Sequence, residues 1–283
     1  MRYLSILVLI GIAGLSLRAQ PPKGGWAPFK KVGERLGVTN VVWDGSSLAF
    51  SNATRCVRFH SGQKRAEVNG VTVWMNQPPE GSPADGSWKM AALDLDFLTL
   101  AILPEKEAAK PKPLHILLDP GHGGVDDGAV NGEVALSEKA FSLAIANRLG
   151  PLLEKAGFTV SYTRTNDVAL TLGQRTRMVT PLKADLFISL HANHAANREA
   201  IGFETYVIPP SGFTGTSVGS RLCTWQPGNK NEFQSTSLGF AIQRRFSLSQ
   251  TNRVDRGLKR QSYYVLRESP CPAVLIEFGF ISN

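Results

Sequence analysis

From residue 114 onward, short apolar runs alternate with segments whose apolar residues recur at helical spacing. The strand-like runs are, in chain order, LHILL, FTVSYT, DLFISL, FETYVI and AVLIEF. Between the first two, four apolar residues spaced by four, four and three positions lie on one face of a helix: Phe141, Ile145, Leu149 and Leu152. Gly157 follows this helix as a C-terminal glycine, and two further helices are expected over LGQRTRMVTPLK and SLGFAIQRRFSL. Strands that alternate with helices predict an α/β domain with a largely parallel sheet.

The preceding part of the chain has a different pattern. In VTNVVWDGSSLAFSNATRCVRFHSGQKRAEVNGVTVWMN, apolar and polar residues alternate between Asp-Gly, Ser-Gly and Asn-Gly dipeptides. Short alternating runs separated by such turn dipeptides are typical of β-hairpins. We therefore expect a small β-rich accessory module over residues 21–104. A charged linker that ends in prolines follows over residues 105–113, before the α/β domain at residues 114–283.

The N-terminus, MRYLSILVLIGIAGLSLRAQ, resembles an export signal in its order of residues. Arg2 precedes an apolar run over residues 4–17, and Ala19 follows the run. This order predicts a signal peptide over residues 1–19, cleaved after Ala19. The run is short for a membrane-spanning helix, and an uncleaved anchor is the alternative. We expect an exported protein that is periplasmic or associated with the cell envelope.

The chain is basic, with 31 Lys and Arg against 23 Asp and Glu and a formal net charge of +8. This balance favours an anionic partner, and ordinary solubility is the alternative. Nucleic acid is not expected as a partner, because the chain has no concentrated basic run and no nucleic-acid motif. The three cysteines, Cys56, Cys223 and Cys271, allow one disulfide and a free thiol, and their spacing does not support a zinc cluster.

Four candidate ligands or catalytic groups stand out in the α/β domain. His122 follows the first strand in a glycine-rich loop, and Glu138 lies in the first turn of the next helix. His191 ends the DLFISL strand, and Glu277 lies in the last strand-like run. Sites of open α/β sheets gather at the carboxyl ends of strands, so side chains separated by 16, 53 and 86 positions could converge.

Two histidines and one carboxylate are a typical ligand set for catalytic zinc, with the fourth position left for water. The glycines around His122 would let the backbone bend so that its imidazole points at the metal. Glu138 would stay ionised, because the helix dipole favours an anion at a helix N-terminus. Each residue also has an ordinary explanation, namely a solvated histidine after a strand and a common helix-start glutamate. An ordinary explanation suits Glu277 less well, because burying a carboxylate among apolar neighbours without a partner costs free energy.

The motifs resemble those of zinc-dependent N-acetylmuramoyl-L-alanine amidases. The matching segments are ILLDPGHGGVDDGAV, SEKAFSLAIANRL, DLFISLHAN, GFETYVI, DRGLKRQSYYVLRES and PAVLIEFGFISN, over about residues 114–283. The resemblance implies one zinc ion per chain, with His122, Glu138 and His191 as its ligands and Glu277 as the catalytic glutamate. It also implies a twisted, mostly parallel sheet with helices on both faces. Relatives usually continue into a final helix, so the catalytic domain is expected to be truncated after Asn283.

The activity that this resemblance implies is hydrolysis of the amide between the lactyl group of N-acetylmuramic acid and L-alanine in peptidoglycan. The cellular role would be cell-wall remodelling, daughter-cell separation or recycling. Two other functions stay open: another zinc hydrolase of exported substrates, such as a peptidase, and an inactive wall-binding protein. The intact set of four candidate residues argues against the inactive protein.

Several polar residues near the motifs have two interpretations. Asp126 and Asp127 could orient a ligand histidine or bind backbone amides, or they could lie in a solvated turn. Asn193 could contact substrate or form local hydrogen bonds. Three arginines could pair with peptide carboxylates of the substrate or form structural salt bridges: Arg164, Arg175 and Arg256.

Two segments raise questions of control and binding. Some amidases carry a long helix after the GFETYVI strand that blocks the site until an activator removes it. Here residues 209–237 are rich in proline and glycine, which disfavour a helix. We expect a flexible flap beside the cleft, with Trp225 near the substrate, and an active site that needs no activator. The alternative is that the side chain of Glu232 reaches the metal. RAEVNGVTVWMNQPPE and AALDLDFLTLAI resemble the N-terminal-like domain of copper amine oxidases, which implies a binding or spacer module without copper chemistry.

Overall fold

The computed structural model describes residues 25–38, 40–102, 114–216, 220, 222–249 and 254–283. The predicted signal peptide and the predicted linker lie outside these residues. Among the helices of the described ranges, none combines the length and the apolar character that crossing a membrane requires.

The first part of the chain is a β-rich module, as expected. Its elements are β1 (Trp26–Pro28), α1 (Phe29–Leu36), β2 (Asn40–Trp43), β3 (Ser47–Ser51), β4 (Cys56–His60), β5 (Arg65–Val68), β6 (Val71–Trp74), β7 (Lys89–Ala91) and α2 (Ala92–Ile102). Strands β2 to β6 form an antiparallel meander. The two helices were not indicated by the alternating pattern, and their apolar residues share one buried core with one face of the meander.

The second part contains every strand and helix that the apolar pattern indicated. Its elements are β8 (His115–Pro120), β9 (Val130–Asn131), β10 (Leu136–Ser137), α3 (Glu138–Lys155), β11 (Thr159–Tyr162), α4 (Leu172–Arg177), α5 (Val179–Leu182), β12 (Leu186–Asn193), β13 (Phe203–Val207), a 3-10 helix (Pro227–Asn231), α6 (Glu232–Ser249), β14 (Asp255–Arg260), α7 (Tyr264–Arg267) and β15 (Ala273–Phe280). The pattern missed β14 because its sequence, DRGLKR, is dominated by charged residues.

One eleven-stranded sheet runs through the molecule in the order β11-β8-β12-β15-β13-β14-β6-β5-β4-β3-β2. Strands β11, β8, β12 and β15 are parallel, whereas β13 is antiparallel to β15. One core lies where α3 and α6 cover the sheet, and a second core lies on the other face beneath α5 and α7. The expected α/β architecture, with helices on both faces of a mostly parallel sheet, is confirmed.

The module and the α/β domain share this sheet, because β6 lies beside β14. The indole Nε1 of Trp74 donates to the carbonyl of Arg256 over 2.7 Å. Arg260 and Asp94, neither of which has exposed surface, form an ion pair across the same junction. The module is therefore an extension of the sheet, and the predicted boundaries of the two parts stay a prediction.

Helix α3 packs against the core through two of the expected apolar residues, Ile145 and Leu149, and through small residues beside them. Its buried positions include the small residues Ser142, Ala146 and Gly150, whereas Leu152 is 40% exposed. A side chain at Gly150 would overlap the hydroxyl of Tyr162. The helix packs so close to the strands that small side chains occupy part of its contact face, whereas Leu152 lies outside that face.

Candidate metal centre

The loop after β8 is held by buried arginines. Arg175 donates from Nη1 to the carbonyl of Pro120 over 2.7 Å and from Nη2 to that of His122 over 2.7 Å. Arg164 donates from Nη2 to the carbonyl of Gly121 over 2.8 Å. Both arginines are only 3% exposed. Arg164 and Arg175 therefore have a structural role, the second of the two interpretations, because they bind the backbone that carries His122.

His122 adopts a left-handed backbone conformation with φ of 59°, which is uncommon for a residue with a side chain. Its Nδ1 lies 2.9 Å from Oδ2 of Asp126, and its Nε2 lies 3.2 Å from Oε2 of Glu138. The contact with Asp126 fixes the orientation of the ring, as carboxylates beside ligand histidines do in metal sites. Asp127 instead pairs with Lys139 at 2.8 Å.

His191 lies in β12, which continues two residues beyond it. Its ring packs against the backbone of Gly121, where a Cβ atom would lie 2.5 Å from Nε2 and 2.7 Å from Nδ1 of His191. Glycine is required there because no side chain fits beneath the imidazole. The rings of His122 and His191 are 5.1 Å apart and nearly perpendicular, with an interplanar angle of 81°.

Glu138 is the first residue of α3 and is 6% exposed. Its Oε1 lies 2.7 Å from Nδ1 of His191, and the backbone N–H groups of Ala129 and Ala192 donate to its two oxygens. Burial opposes the charged form, but the hydrogen bonds from His122 and His191 outweigh it and hold the pKa of Glu138 well below its usual range. The carboxylate is therefore ionised between the two rings.

The donor atoms of His122, Glu138 and His191 lie within 4.8 Å of one another, so these residues form a group that could hold a metal ion. Two imidazole nitrogens and one carboxylate oxygen are the donor set that zinc prefers in hydrolases. The backbone leaves room for this arrangement, since a Cβ at Gly128 would lie 2.6 Å from the His122 ring and 2.7 Å from Oε2 of Glu138. The three predicted ligands fit a metal by their chemistry and their convergence.

Glu277 lies on β15 directly beside His191 of β12. Its Oε2 is buried and has no hydrogen-bond partner within the described part of the chain. Burial, followed by the charges of Glu138 and Glu204, raises the pKa of Glu277 well above its usual value. A cation bound by the neighbouring group would oppose that rise, because it favours a carboxylate over a carboxylic acid.

Glu204, a buried acid that the sequence analysis did not single out, is the neighbour of Glu277 on β13. It is 2% exposed and binds the hydroxyl of Tyr206 at 2.8 Å, Nε of Arg256 at 3.2 Å and the ammonium of Lys259. Asn193 also donates to it over 2.7 Å. The signal that could have found Glu204 is the one that found Glu277, a carboxylate within an apolar run.

Asn193 and Arg256 therefore meet at Glu204 and not at the three predicted ligands. Asn193 also accepts a hydrogen bond from the N–H of His194, so both polar atoms of its side chain have partners within the described part of the chain. Arg256 keeps 37% of its side-chain surface exposed. Of these two residues, only Arg256 has a substantially exposed side chain.

The described residues of the segment after β13 do not lie where we expected them. Because β13 is antiparallel to β15, the last residues of β13 lie beside the first residues of β15. The chain therefore leaves β13 at the amino-terminal end of β15, away from Glu277. Asn229 donates to the carbonyl of Pro209 over 2.9 Å, and Asn231 donates to that of Pro270 over 3.1 Å, which anchor the segment at that end. The expectation of a flap beside the cleft is wrong in this respect.

Other expectations are corrected in the same region. Glu232 begins α6 and lies among the charges of Arg260 and Asp96, away from the group of three ligands. Burial raises the pKa of Glu232 to about 7. The three cysteines are free thiols, so the disulfide that the sequence allowed is not formed.

Comparison with known proteins gives one family. The family model described as N-acetylmuramoyl-L-alanine amidase matches residues 116–283. The chain is 35% identical over 177 residues to the probable cell wall amidase LytH of Staphylococcus saprophyticus, covering 62% of this chain and 51% of that protein. It is 35% identical over 169 residues to LytH of Staphylococcus aureus, covering 59% and 48%. The chain spans about half the length of the curated relatives it matches.

A solved structure of an N-acetylmuramoyl-L-alanine amidase from Clostridium difficile is 30% identical to the chain. It superposes with a TM-score of 0.50 and covers 61% of this chain and 83% of that chain. The family match includes His122, Glu138 and His191, the group of three ligands.

Proposed function

The chain belongs to the N-acetylmuramoyl-L-alanine amidase family, and on that premise we propose that it hydrolyses the amide between N-acetylmuramic acid and L-alanine in peptidoglycan with the help of zinc. The observation that carries the proposal is the group of His122, Glu138 and His191 beside the unpaired carboxyl of Glu277. An ordered set of donors next to a candidate base is what metal-assisted hydrolysis requires.

His122, Glu138 and His191 would hold the zinc. When bound, the ion supplies a water of lowered pKa and polarises the amide carbonyl. Asp126 keeps Nδ1 of His122 occupied, so that Nε2 faces Glu138 and the metal position. The backbone N–H groups of Ala129 and Ala192 fix the Glu138 carboxylate between the rings.

Glu277 is the proton carrier. Its Oε2 has no hydrogen-bond partner among the described residues, which leaves this oxygen free to accept a proton from the attacking water. Glu277 then delivers the proton to the nitrogen of L-alanine, because an amide nitrogen leaves readily only as an amine. Burial of the carboxyl keeps the proton from bulk water between the two transfers.

The reaction would take place outside the cytoplasm, because the curated relatives are named as cell wall amidases and peptidoglycan is the substrate. The residues 114–283 would form the catalytic domain, and the cellular role would be wall remodelling, daughter-cell separation or recycling. We further propose that the enzyme needs no activator. The described residues 222–231 contain only a short 3-10 helix, and they are anchored at the edge of the sheet away from Glu277.

The test is mass spectrometry of peptidoglycan digested by the purified protein without its signal peptide. An amidase leaves intact glycan and releases peptides that begin at L-alanine, and a chelator stops the release until zinc is restored. Cleavage within the peptide stem would instead identify a peptidase and refute the proposed bond specificity.

A further inference from the structure

The face of the sheet that carries the candidate site continues beyond the family match. Glu277 is the cross-strand neighbour of His191 on one side and of Glu204 on the other. Glu204 is in turn paired with Gly257 of β14. Cross-strand neighbours point to the same face, so the row from His191 to Gly257 lies on one surface of the sheet.

This row crosses from β14 into the module. Two observations show that β14 and β6 lie side by side on this face. A Cβ at Gly257 would lie 2.7 Å from Cγ2 of Thr72, and Nζ of Lys259 lies 5.6 Å from the ring centre of Trp74. Gly257 is buried, and the side chain of Thr72 occupies the space that a side chain at position 257 would fill, so β14 and β6 pack closely on this face. Glu204 is 2% exposed, so a polymer chain that extends from Glu277 to β6 would lie over Arg256 and Lys259, the two cations that bind Glu204.

On the module the row ends in arginines. Thr72 is paired with Glu67 of β5, and Glu67 is paired with Arg58 of β4. Trp74 is paired with Arg65 of β5. All five side chains lie on the face opposite the buried core of the module, where Arg58 is exposed and the other four are half-buried.

This face carries more arginines than acidic residues, and some of its arginine groups have no partner in the described ranges. Glu67 binds His60 at 3.2 Å, which leaves its neighbour Arg58 without an ion pair in the described ranges. Nε of Arg65 is buried and has no hydrogen-bond partner in the same ranges. Nearer the site, Arg256 exposes 37% of its side chain. The face therefore presents cations to a ligand that carries carboxylates.

The distances suit an extended peptide. Strands lie ~4.8 Å apart, so β5 is ~19 Å and β4 is ~24 Å from Glu277 across the sheet. An extended chain spans ~3.3–3.6 Å per residue, and a peptide of about five or six residues therefore reaches Arg65. The side chain of Arg256 lies between these residues and the site.

We propose that the open face of β4, β5 and β6 is a binding platform for the peptide stem of peptidoglycan, whose carboxylates pair with Arg58 and Arg65. The proposal rests on the proposed function, since it places the amide to be cleaved at Glu277. The module then acts as part of the substrate site and not as a spacer.

The experiment compares the parent protein with the double variant Arg58→Glu/Arg65→Glu on two substrates. One is isolated peptidoglycan, and the other is a soluble N-acetylmuramoyl dipeptide, which is too short to reach β5. We expect the ratio of kcat/KM on peptidoglycan to that on the dipeptide to fall about tenfold, through KM, because the proposed ion pairs of the exposed Arg58 and the half-buried Arg65 become repulsive. Salt should weaken peptidoglycan binding by the parent more than by the variant.

Two controls isolate the platform. Arg148→Glu changes the charge of an exposed position on α3 and should leave the ratio as in the parent, whereas Arg58→Lys/Arg65→Lys should restore most of the binding. Equal ratios for the parent and the double Glu variant would overturn the proposal. If the parent cleaves neither substrate, the proposed function fails, and co-sedimentation with peptidoglycan still tests the platform: equal binding of parent and double Glu variant refutes it.

Discussion

Replacement of Gly121 by alanine tests whether the metal centre depends on the close approach of His191 to the backbone. The new Cβ would lie 2.5 Å from Nε2 and 2.7 Å from Nδ1 of the ring. Favourable contacts between nonbonded heavy atoms are found at ~3.5–4.0 Å, so the imidazole must move by about 1 Å. Gly121 is not among the glycines with positive φ, and the effect is therefore one of space and not of backbone strain.

A shift of about 1 Å is large compared with the tolerance of a zinc site, whose ligands lie at ~2.0–2.2 Å. We expect Gly121→Ala to lose most of its zinc and to lower kcat/KM about 100-fold or more, as misplacement of this size does in other enzymes. Zinc content is measured by metal analysis after dialysis, activity by release of peptides from peptidoglycan, and folding by thermal denaturation.

Gly132→Ala is the matched control, because nothing lies within 4 Å of a Cβ built at that position and its φ is not positive. It should bind zinc and cleave peptidoglycan like the parent. A folded Gly121→Ala protein with full zinc content and activity within threefold of the control would show that the zinc ligands do not depend on the space beneath the His191 ring.

Three further changes give expected results of different kinds. Asp126→Asn should lower zinc affinity about 10–100-fold in a metal titration, because the carboxylate that orients His122 is lost; an unchanged affinity would contradict this role. Asp94→Ala should destabilise the protein by about 3–5 kcal/mol in a denaturant titration, since it leaves Arg260 charged and buried without its partner. The control is Asp96→Ala, which removes the solvent-accessible ion pair of Asp96 with Arg35 and should cost less than about 1 kcal/mol. Burial raises the pKa of Glu232 from 4.5 to about 7, so the free energy of unfolding should fall as the pH rises between these values, by at most about 3 kcal/mol; Glu232→Gln should abolish this fall, and an identical pH dependence in both proteins would disprove it.

The sequence predicts the fold best where one periodicity dominates. The five apolar strands and α3 follow from their spacing. The approach of His122, Glu138 and His191 could be expected because the first follows β8, the second begins α3 and the third lies near the end of β12. The carboxyl ends of the parallel strands lie along one side of the sheet, and this brings distant sequence positions together.

The parts that the sequence did not predict depend on contacts between elements. Strand β14 has no apolar periodicity, and it becomes a strand because β13 and β6 lie on its two sides. The burial of Glu204 could be suspected from its apolar run, but its partners Lys259 and Arg256 come from β14 and could not be assigned without that strand. The position of the segment after β13 required the direction of β13, which amino-acid spacing does not encode.

We propose that His122, Glu138 and His191 hold zinc while Glu277 moves the proton. The most direct test measures zinc content and peptide release side by side in His191→Ala and Glu277→Gln. We expect His191→Ala to lose most of its zinc, whereas Glu277→Gln should keep its zinc and bind peptidoglycan but lose about 10²–10⁴-fold in turnover. Full zinc occupancy in His191→Ala would remove His191 from the ligand set, and activity of Glu277→Gln within tenfold of the parent would remove Glu277 from the reaction.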